Sequence, residues 1–562
     1  MSLDMLKKSM RNFDEEYLKE LLGDLKDSLL EWSINKDMMT KNNMIEIILS
    51  VNGLSLFKND IFRYKYFCSL EDVMVLQKFL EVASLEYKGL DHEKMAKIAA
   101  KIQYQDCPAY RFLIHEYFGL TDFEFVVNSK EEPVDNIGRN SCKFYELFDY
   151  QYIIKQQVIN DLENKDKHLY KILVHMPTGT GKTKTTMHII AHYLNFISKG
   201  KGTVIWIAHS DELLKQAYDT FISVWSHLAL FNINVYKSWV EFPSEINDGI
   251  FFTSIQALQM KVKKPIFDDI QKNASLIVFD EVHKSGAKEY KECIDKLMLT
   301  ENAIGKKFIG LTATPGRTTE FSRQNVLFRN DFDHFIGIDV DRINNISLTP
   351  NEARNYQGSK DPIKYFQEHN YLSRIIAEPL KFELDSATYE KLKKEYLGKR
   401  DDYSDALLKE IGLNKSRNML IVEKLQELHR NNIPTIVFAC SLQHAKMLSA
   451  FLRMLNIGNS LVIGDMGTYE RREAIQNFKS GKVNFIINYE ILTTGFDSTN
   501  IKCVFITRPT KSVILYSQMI GRGLRGIKMG GNAECKLIDL QDNIEQFSNE
   551  CEAFTHFDSY WR

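Results

Sequence analysis

The sequence predicts an α/β protein with two parallel sheets that follow an all-helical domain. Two observations predict the sheets: short apolar runs typical of buried strands recur from residue 171 onward, and stretches of helical periodicity separate them. A third observation predicts the helical domain, because apolar residues near the N-terminus recur at helical spacing. At 562 residues, the chain is long enough for three or four domains, each with its own core.

The N-terminal domain, residues 1–135, is expected to be a docking surface or a brace for the rest of the chain. Residues 1–140 carry 18 lysines and arginines against 24 aspartates and glutamates, so this segment is a poor clamp for nucleic acid. A polar stretch over residues 128–139 is the expected linker. Five helices are indicated by apolar spacing over residues 13–29 and 44–49, a capping signal at residues 69–72, a candidate cap at Asp91 and a candidate helix start at Pro108.

A glycine-containing loop lies between a predicted strand, residues 171–174, and a predicted helix that starts at Thr183. Residues 176–183 read MPTGTGKT, and the glycines let backbone N–H groups face a phosphate at a helix N-terminus. Lys182 is predicted to neutralise the β- and γ-phosphates of a nucleoside triphosphate, and Thr183 to hold Mg²⁺. Taken alone, the loop is also compatible with an ordinary glycine turn, because Met176 replaces the first glycine of the general pattern. The predicted cofactor-binding residues of the loop are Thr178, Gly179, Thr180, Gly181, Lys182 and Thr183.

A pair of carboxylates follows another predicted strand about one hundred residues later. The apolar run over residues 276–279 ends in Asp280 and Glu281. Such a pair is costly at the end of a buried strand unless it binds something, although on its own it is more typical of a solvated turn or a helix cap. Asp280 is predicted to coordinate Mg²⁺ and Glu281 to polarise the attacking water. Together with the loop, the pair predicts ATP hydrolysis, with ATP and Mg²⁺ as cofactors.

Three further motifs identify the family that the chain resembles. Residues 310–315 read GLTATP, residues 493–497 read TTGFD, and residues 518–525 read QMIGRGLR. In this order, and after the loop and the carboxylate pair, the set resembles the superfamily 2 helicases, the DEAD/DEAH-like ATP-driven motors on nucleic acid. The resemblance implies two tandem RecA-like P-loop domains. We expect a first motor domain over residues 141–335, a connecting and helical segment over 336–430, and a second motor domain with a C-terminal packing segment over 431–562.

The resemblance also implies roles for single residues around the nucleotide. Arg522 and Arg525 match the arginine fingers that reach the γ-phosphate, because the planar guanidinium meets phosphate oxygens bidentately. Gln151 resembles a glutamine that reads the adenine edge, and Phe148 stands where relatives often have Arg. Without the upstream loop, the arginine motif would also be compatible with a solvated basic turn. The remaining implied residues are Gln518 and His283 as nucleotide sensors, Gly495 and Asp497 as nucleotide contacts, and Thr312 and Thr314 as the coupling segment.

Two segments of the first motor domain resemble the motifs that hold the sugar-phosphate backbone. One follows the predicted strand over residues 203–208, and the other is the run over residues 249–256. Backbone N–H groups at helix starts and hydroxyl groups bind phosphates without reading bases, so sequence specificity is not expected. The implied nucleic-acid contacts are His209, Ser210, Thr253 and Gln256, with Thr493 and Thr494 from the second domain.

Within the superfamily, the motifs look closest to the motor subunits of restriction-modification enzymes and to related repair and bacterial defence proteins. This resemblance implies duplex DNA as the track, translocation more than strand separation, and a separate nuclease or other subunit docked on the helical domain. Two alternatives stay open: an RNA-dependent ATPase or helicase, and an ATP-operated nucleic-acid sensor that does not translocate. The distinction between DNA and RNA depends on contacts to the 2′-hydroxyl, which the sequence does not locate.

Composition is in keeping with a cytoplasmic protein that does not enter a membrane. The eight cysteines are scattered without a C-x-x-C pair, which argues against zinc or iron–sulfur binding and for a reducing environment. The sequence has no run of 18 apolar residues and no basic-then-apolar leader. The net charge is −2, with the basic excess in residues 141–562, which suits a motor that must bind phosphates and release them.

Overall fold

In the computed structural model, a helical domain is followed by two α/β lobes. Lobe 1 comprises residues 132–347 and lobe 2 comprises residues 374–542. The described residues are 3–32, 39–121, 123, 132–140, 146–164, 170–283, 288–298, 306–314, 328, 330–347, 358–398, 402–493, 496 and 498–542.

The helical domain consists of short helices that begin at side-chain caps. Asp14, Thr40, Asn59, Asp72 and Asp91 each accept a hydrogen bond from a backbone N–H in the first turn of the helix that follows. The predicted cap at Asp91 and the predicted helix start at Pro108 are confirmed. The helices are α1 Asp4–Met10, α2 Glu15–Leu22, α3 Leu25–Trp32, α4 Lys41–Asn52, α5 Asp60–Cys68, α6 Val73–Val82, α7 His92–Ala100 and α8 Pro108–Arg111.

Lobe 1 is built on a sheet with the strand order β1-β4-β5-β3-β6-β7-β2-β8, parallel except at β1. Strand β1 pairs antiparallel with β4, so part of the predicted linker over residues 128–139 forms an edge strand. The carboxyl ends of the parallel strands share one edge, where the predicted motifs lie. The elements are β1 Val134–Ile137, α9 Asp149–Glu163, β2 Tyr170–His175, α10 Lys182–His192, β3 Thr203–Ala208, α11 Asp211–Leu228, β4 Ile233–Lys237, β5 Gly249–Ser254, α12 Ile255–Gln259, α13 Pro265–Asn273, β6 Ala274–Asp280, α14 Lys288–Met298, β7 Lys307–Thr312, β8 His334–Ile336 and α15 Val340–Ser347.

Lobe 2 is built on a parallel sheet with the strand order β11-β12-β10-β13-β14-β9. Its edge strand β9 comes from the segment expected to connect the domains, and it pairs with β14 along its whole length. Helix α16 Pro362–Glu368 lies between the lobes. The elements of lobe 2 are β9 Arg374–Lys381, α17 Ser386–Tyr396, α18 Asp405–Gly412, α19 Lys415–Arg430, β10 Thr435–Phe438, α20 Leu442–Met454, β11 Asn459–Val462, α21 Thr468–Lys479, β12 Phe485–Asn488, β13 Cys503–Ile506, α22 Val513–Ile520 and β14 Glu534–Gln541. The two parallel sheets and the helical N-terminal domain confirm the predicted fold class.

The helical domain packs on lobe 2. Helices α3 and α4 contact α20, and the apolar residues of the helical domain form one continuous core with those of lobe 2. A hydrogen bond and an aromatic contact also join the two: the Leu54 N–H donates to Glu470 over 3.3 Å, and Phe123 meets the ring of Tyr469 edge-on at 5.1 Å. The helical domain therefore braces lobe 2 through its α3–α4 face.

No helix among the described residues is both long enough and apolar enough to span a bilayer.

Candidate active site

The predicted phosphate loop connects β2 to α10. Gly179 and Gly181 adopt φ values of +86° and +79°, which strongly favour glycine. No side chain caps α10, whose first residue is Lys182, so backbone N–H groups at its start can face an anion. The cleft beside this loop is lined by Thr178, Gly179, Gly181, Lys182 and Thr183 among the predicted nucleotide-binding residues.

Gln151 and Thr180 support the loop from beneath and do not line the cleft. Gln151 is fully buried; its Nε2 donates to the Thr180 carbonyl over 2.9 Å, and its Oε1 accepts from the Phe148 N–H over 3.0 Å. The buried Thr180 hydroxyl donates to the Pro177 carbonyl over 2.7 Å. Both ends of the Gln151 amide are therefore used inside the protein. This placement does not match the prediction that Gln151 reads the adenine edge, because the amide is turned into the protein interior.

The two predicted catalytic carboxylates lie at the end of β6, opposite Lys182. Asp280 is buried, and its Oδ1 accepts from the Glu281 N–H over 3.0 Å. The Lys182 ammonium donates to Glu281 Oε1 over 3.0 Å, with both side chains largely shielded from solvent. Glu281 has a φ of +53°, an uncommon value for a residue other than glycine that costs on the order of 1–3 kcal/mol. The turn after β6 therefore stores strain while it directs the Glu281 carboxylate toward the loop.

His283 links Glu281 to the coupling segment after β7. Its Nδ1 lies 3.4 Å from Glu281 Oε2 and 3.0 Å from the Thr312 hydroxyl. The Thr312 hydroxyl donates to the Thr314 carbonyl over 2.7 Å and accepts from the Thr314 N–H over 3.0 Å. Since the single hydroxyl proton is used on Thr314, His283 must donate from Nδ1. Hydrogen bonds thus run from His283 through Thr312 to Thr314, and the Glu281 carboxylate lies beside the same imidazole nitrogen.

His175, at the end of β2, is a site residue that sequence reasoning missed. Its Nε2 donates to the Ala313 carbonyl over 3.0 Å, so it fixes the same coupling segment from the other side. Burial, with a smaller contribution from the Lys182 charge, lowers the pKa of His175 to about 3. The imidazole is therefore neutral at physiological pH. Histidine at the end of an apolar strand carries no sequence signal that separates this role from ordinary burial.

Lobe 2 supplies Arg522 and Arg525 to the same cleft. Arg522 follows α22 and donates to the Gln518 carbonyl over 3.3 Å and to the Phe496 carbonyl. Gln518 itself is buried beside the cleft. Gly521 touches lobe 1 so closely that an added Cβ would lie 2.5 Å from Thr178 Cγ2. The cleft has a volume of about 390 Å³, and it is lined by Phe148, residues 177–179 and 181–184, Leu213, Gln216, Thr220, Asp280, Glu281, Phe496, Ser498, residues 521–522, Arg525 and residues 528–529.

The oxygen donors of the cleft fit a magnesium ion. Thr183 offers a hydroxyl and Asp280 a carboxylate, and both line the cleft beside Lys182. Mg²⁺ takes one or two protein oxygens and completes its octahedron with water and phosphate oxygens. Within the described ranges there is no cluster of three or more His, Cys, Asp or Glu residues that could hold a metal ion by itself. Gly495 and Asp497, predicted to contact the nucleotide, lie outside the described residues.

The segments after β3 and β5 bring together most of the predicted nucleic-acid contacts of lobe 1. Ser210 is partly exposed and caps α11 by accepting from the Leu213 N–H over 3.3 Å. The exposed Gln256 donates to the carbonyl of the partly exposed His209 over 3.5 Å, which joins the two segments. Thr253 is fully buried and its hydroxyl donates to the Ser254 carbonyl over 3.3 Å.

The structure buries the Thr253 side chain within lobe 1 and so does not present it to a nucleic acid. Its neighbour Ser254 is partly exposed and caps α12 by accepting from the Ala257 N–H over 3.1 Å. In lobe 2, the Thr493 hydroxyl donates to the Glu490 carbonyl over 2.6 Å, and Thr494 lies outside the described residues.

An ion pair joins the lobes at the start of α11. Arg471 of α21 contacts Glu212 over 3.0 Å, beside the predicted nucleic-acid segment. Burial, followed by the nearby charge of Glu212, raises the pKa of Asp211. Sequence reasoning named neither partner, because the contact joins residues 259 positions apart.

Comparison with known protein families matches both lobes. The family described as "Type III restriction enzyme, res subunit" matches residues 144–317, and the family described as "Helicase conserved C-terminal domain" matches residues 417–526. These spans contain the phosphate loop and carboxylate pair in lobe 1 and the arginine motif in lobe 2. They also coincide with the two parallel sheets, which are the two RecA-like domains of the predicted fold.

Three curated relatives illustrate the range of the family. The chain is 26% identical over 402 residues to "Putative ATP-dependent helicase IRC3" of Saccharomyces cerevisiae, covering 70% of this chain and 51% of that protein. It is 22% identical over 458 residues to "Type I restriction enzyme EcoAI endonuclease subunit" of Escherichia coli, covering 77% of this chain and 50% of that protein. It is 22% identical over 382 residues to "ATP-dependent RNA helicase SrmB" of Escherichia coli, covering 66% of this chain and 71% of that protein.

The chain spans about half the length of the first two of these relatives. Its two lobes nevertheless carry both family matches, with residues of the matched motifs lining a single cleft. The two family matches and the named relatives therefore support a superfamily 2 helicase.

Proposed function

We propose that this chain hydrolyses ATP and uses the cycle to move along double-stranded DNA. The observation that carries the proposal is a single cleft lined from both lobes, with Lys182, Asp280 and Glu281 on one side and Arg522 and Arg525 on the other. A triphosphate in this cleft contacts both lobes and closes them. Hydrolysis removes the bridging γ-phosphate, so the lobes separate again.

The side chains of the cleft divide the chemistry between them. Thr183 and Asp280 would hold Mg²⁺, which would supply positive charge to neutralise the phosphate oxygens. When phosphates enter, Lys182 turns from Glu281 toward them, which frees the Glu281 carboxylate to polarise the attacking water. His283 lies beside that carboxylate, with Nδ1 3.4 Å from Glu281 Oε2. Arg522 and Arg525 stabilise the charge on the transferring phosphoryl group, so Arg522→Ala should reduce turnover roughly a thousandfold or more.

ATPase stimulation by matched polynucleotides tests the choice of track. The motif style and the similarity to a type I restriction subunit support duplex DNA. We expect the largest stimulation from duplex DNA, less from single strands, and the least from RNA, measured at constant salt because phosphate binding is salt-dependent. Strongest stimulation by RNA would contradict the DNA assignment and favour the RNA-dependent alternative, which the similarity to an RNA helicase supports.

Displacement of a third strand from a DNA triplex tests movement, since displacement requires travel along the duplex. We expect ATP-dependent displacement by the unaltered protein and none by Lys182→Ala or Glu281→Gln. Substitution of Glu410, in an exposed ion pair with Lys391 outside the cleft, is the matched control and should leave displacement intact. ATP hydrolysis without displacement would instead favour a sensor that does not translocate.

A protein partner, such as a nuclease or another defence or repair subunit, is proposed to dock on the helical domain in the cytoplasm. The α3–α4 face is buried against lobe 2, so the partner would use the remaining surface, where Met74 is 73% exposed. Co-purification with the product of a co-transcribed nuclease gene, and its loss in Met74→Asp, would support this arrangement. An unaltered complex in Met74→Asp would exclude that part of the surface, and the absence of any complex would contradict the partner.

A further inference from the structure

Helices α17 and α18 form an antiparallel hairpin that lies outside both matched family spans. The hairpin packs on the end of β10 through a small core of its own, formed by Leu384, Leu392, Tyr403, Leu407, Leu408, Ile411 and Cys440. After the buried Leu392, four side chains at the end of α17 are exposed, and Leu397 is 75% exposed. These four residues, named here the α17 tip, are Lys393, Lys394, Tyr396 and Leu397.

The α17 tip presents positive charge next to apolar surface. Residues three and four positions apart are neighbours on a helix, so Lys393 lies beside Tyr396 and Leu397, and Lys394 lies beside Leu397. Earlier in the same helix, Lys391 pairs with a glutamate of α18 over 2.7 Å. In contrast, no carboxylate of the described residues lies within ion-pair distance of either lysine of the tip. Such a face suits a polyanion whose phosphates alternate with less polar sugars.

Hydrogen bonds hold the α17 tip against the segment that follows β13. The Lys511 ammonium donates to the carbonyls of Glu395 and Gly398, each over 2.9 Å. Asp402, on the α18 side of the hairpin, accepts from the Thr510 hydroxyl over 2.9 Å and from the Lys511 N–H over 3.0 Å. The exposed side chains therefore extend from a backbone that is fixed to lobe 2.

The negative groups around the α17 tip are already occupied. Carbonyl groups at a helix C-terminus repel anions, but Lys511 covers two of them at the end of α17. The Glu395 carboxylate accepts from the Ser404 N–H over 2.7 Å and from the Ser404 hydroxyl over 2.6 Å. Asp402 pairs with Arg508 over 2.9 Å. The two lysine charges of the tip are thus left to face solvent.

The α17 tip lies at the sheet edge that carries the predicted track contact of lobe 2. The strand order β12-β10-β13 places the ends of β12 and β13 two strand spacings apart, about 10 Å. Thr493 follows β12, and Glu490 beside it lies 3.7 Å from Arg508, which follows β13. We infer that the α17 tip binds duplex DNA next to Thr493, with its lysines on phosphates and its apolar groups against the sugars. This inference rests on the proposed function and concerns which surface of lobe 2 holds the track.

Fluorescence anisotropy of labelled duplex DNA, titrated with the full chain at several salt concentrations, tests the charged part of the tip. Lys393→Gln/Lys394→Gln should weaken binding to all duplex sequences alike. The slope of log affinity against log salt should fall in magnitude by about 2, because two phosphate contacts are lost. The matched control, Lys58→Gln/Lys101→Gln, removes two exposed lysine charges from the helical domain and should change neither quantity.

The apolar part of the tip is tested separately. Leu397→Ala should weaken binding about threefold with an unchanged salt slope, since it removes apolar contact and no charge. A photoreactive p-benzoylphenylalanine in place of Leu397 should crosslink to duplex DNA. The same group in place of Leu230 should not, because Leu230, although 63% exposed, precedes β4 and so lies at the opposite edge of the lobe 1 sheet.

ATP hydrolysis separates a failure of the α17 tip from a failure of the proposed function. Without nucleic acid, the tip variants should hydrolyse ATP at the unaltered rate, and they should need more duplex DNA for half-maximal stimulation. If the unaltered protein binds no polynucleotide and is stimulated by none, the proposed function fails. If it binds duplex DNA while Lys393→Gln/Lys394→Gln keeps its salt slope, or position 397 gives no crosslink, only the tip is overturned. Weaker binding to RNA with unchanged binding to duplex DNA would also overturn it.

Discussion

The ion pair between Lys182 and Glu281 predicts that Glu281→Gln will bind ATP more tightly while it hydrolyses ATP more slowly. The atoms are 3.0 Å apart, and the side chains are 11% and 16% exposed. With an effective dielectric constant of about 20, the attraction is about 5 kcal/mol before desolvation is counted. Desolvation offsets most of it, which leaves about 1 to 2 kcal/mol to be given up when Lys182 turns to the phosphates.

Removing the Glu281 charge removes this competition. The affinity for a non-hydrolysable ATP analogue should therefore rise roughly five- to thirtyfold in Glu281→Gln, measured by calorimetry. Turnover should fall about 10²- to 10⁴-fold, because an amide cannot accept a proton from water. Glu410→Gln breaks an exposed pair with Lys391 and is the control for both measurements. If Glu281→Gln binds the analogue no more tightly than the unaltered protein, the reasoning about the ion pair is refuted even if turnover falls.

Three further predictions concern the framework of the site. The fully buried Arg417 pairs with Asp542 over 2.7 Å, so Asp542→Ala leaves a buried charge without its counter-ion. The free energy of unfolding in urea should fall by about 3–5 kcal/mol, and a fall below about 1 kcal/mol would contradict this. Burial raises the pKa of Asp539 to about 6, so the folded state favours its protonated form, and stability should fall as pH rises from about 4 to 6. In Asp539→Asn the loss of stability over this pH range should be smaller, measured by thermal unfolding at several pH values. A loss equal to that of the unaltered protein would contradict the raised pKa of Asp539. Arg471→Glu reverses one charge of the pair between the lobes and should raise KM for ATP a few-fold at low salt. The double variant with Glu212→Arg restores opposite charges and should restore KM. If KM is not restored, the pair does not hold the lobes together.

The phosphate loop and the carboxylate pair could be predicted from sequence because both are local patterns. A loop between a strand and a helix fixes the direction of its own backbone N–H groups, and a strand that ends in Asp280 delivers the carboxylates to the same sheet edge. The alternation of strands and helices likewise fixed the fold class, since parallel neighbours need helical crossovers. Each of these inferences uses residues close together in the chain.

The remaining parts of the site depend on contacts between distant residues. Gln151 and Thr253 carry the right side chains at the right spacing, yet both are fully buried, and burial depends on what packs above them. The pairing of β9 with β14 and of β1 with β4 joins segments about one hundred or more residues apart, so a polar stretch became a strand without a local signal. The approach of Met529 to Gly181 belongs to the same class, because it exists only when the lobes face each other.

Two residues that precede the cleft motifs in the sequence contact different lobes. Phe123 packs on Tyr469 of lobe 2, whereas the Pro133 carbonyl accepts from Lys237 N–H of lobe 1 over 2.9 Å. Strand β1 is then anchored by Asp135, which pairs with the buried ammonium of Lys237 over 2.9 Å. Ten peptide units separate Phe123 from Pro133, and they can span at most about 36 Å. Because the helical domain shares its core with lobe 2, any opening of the cleft that moves lobe 1 away from Tyr469 must stay within this length while both anchors hold.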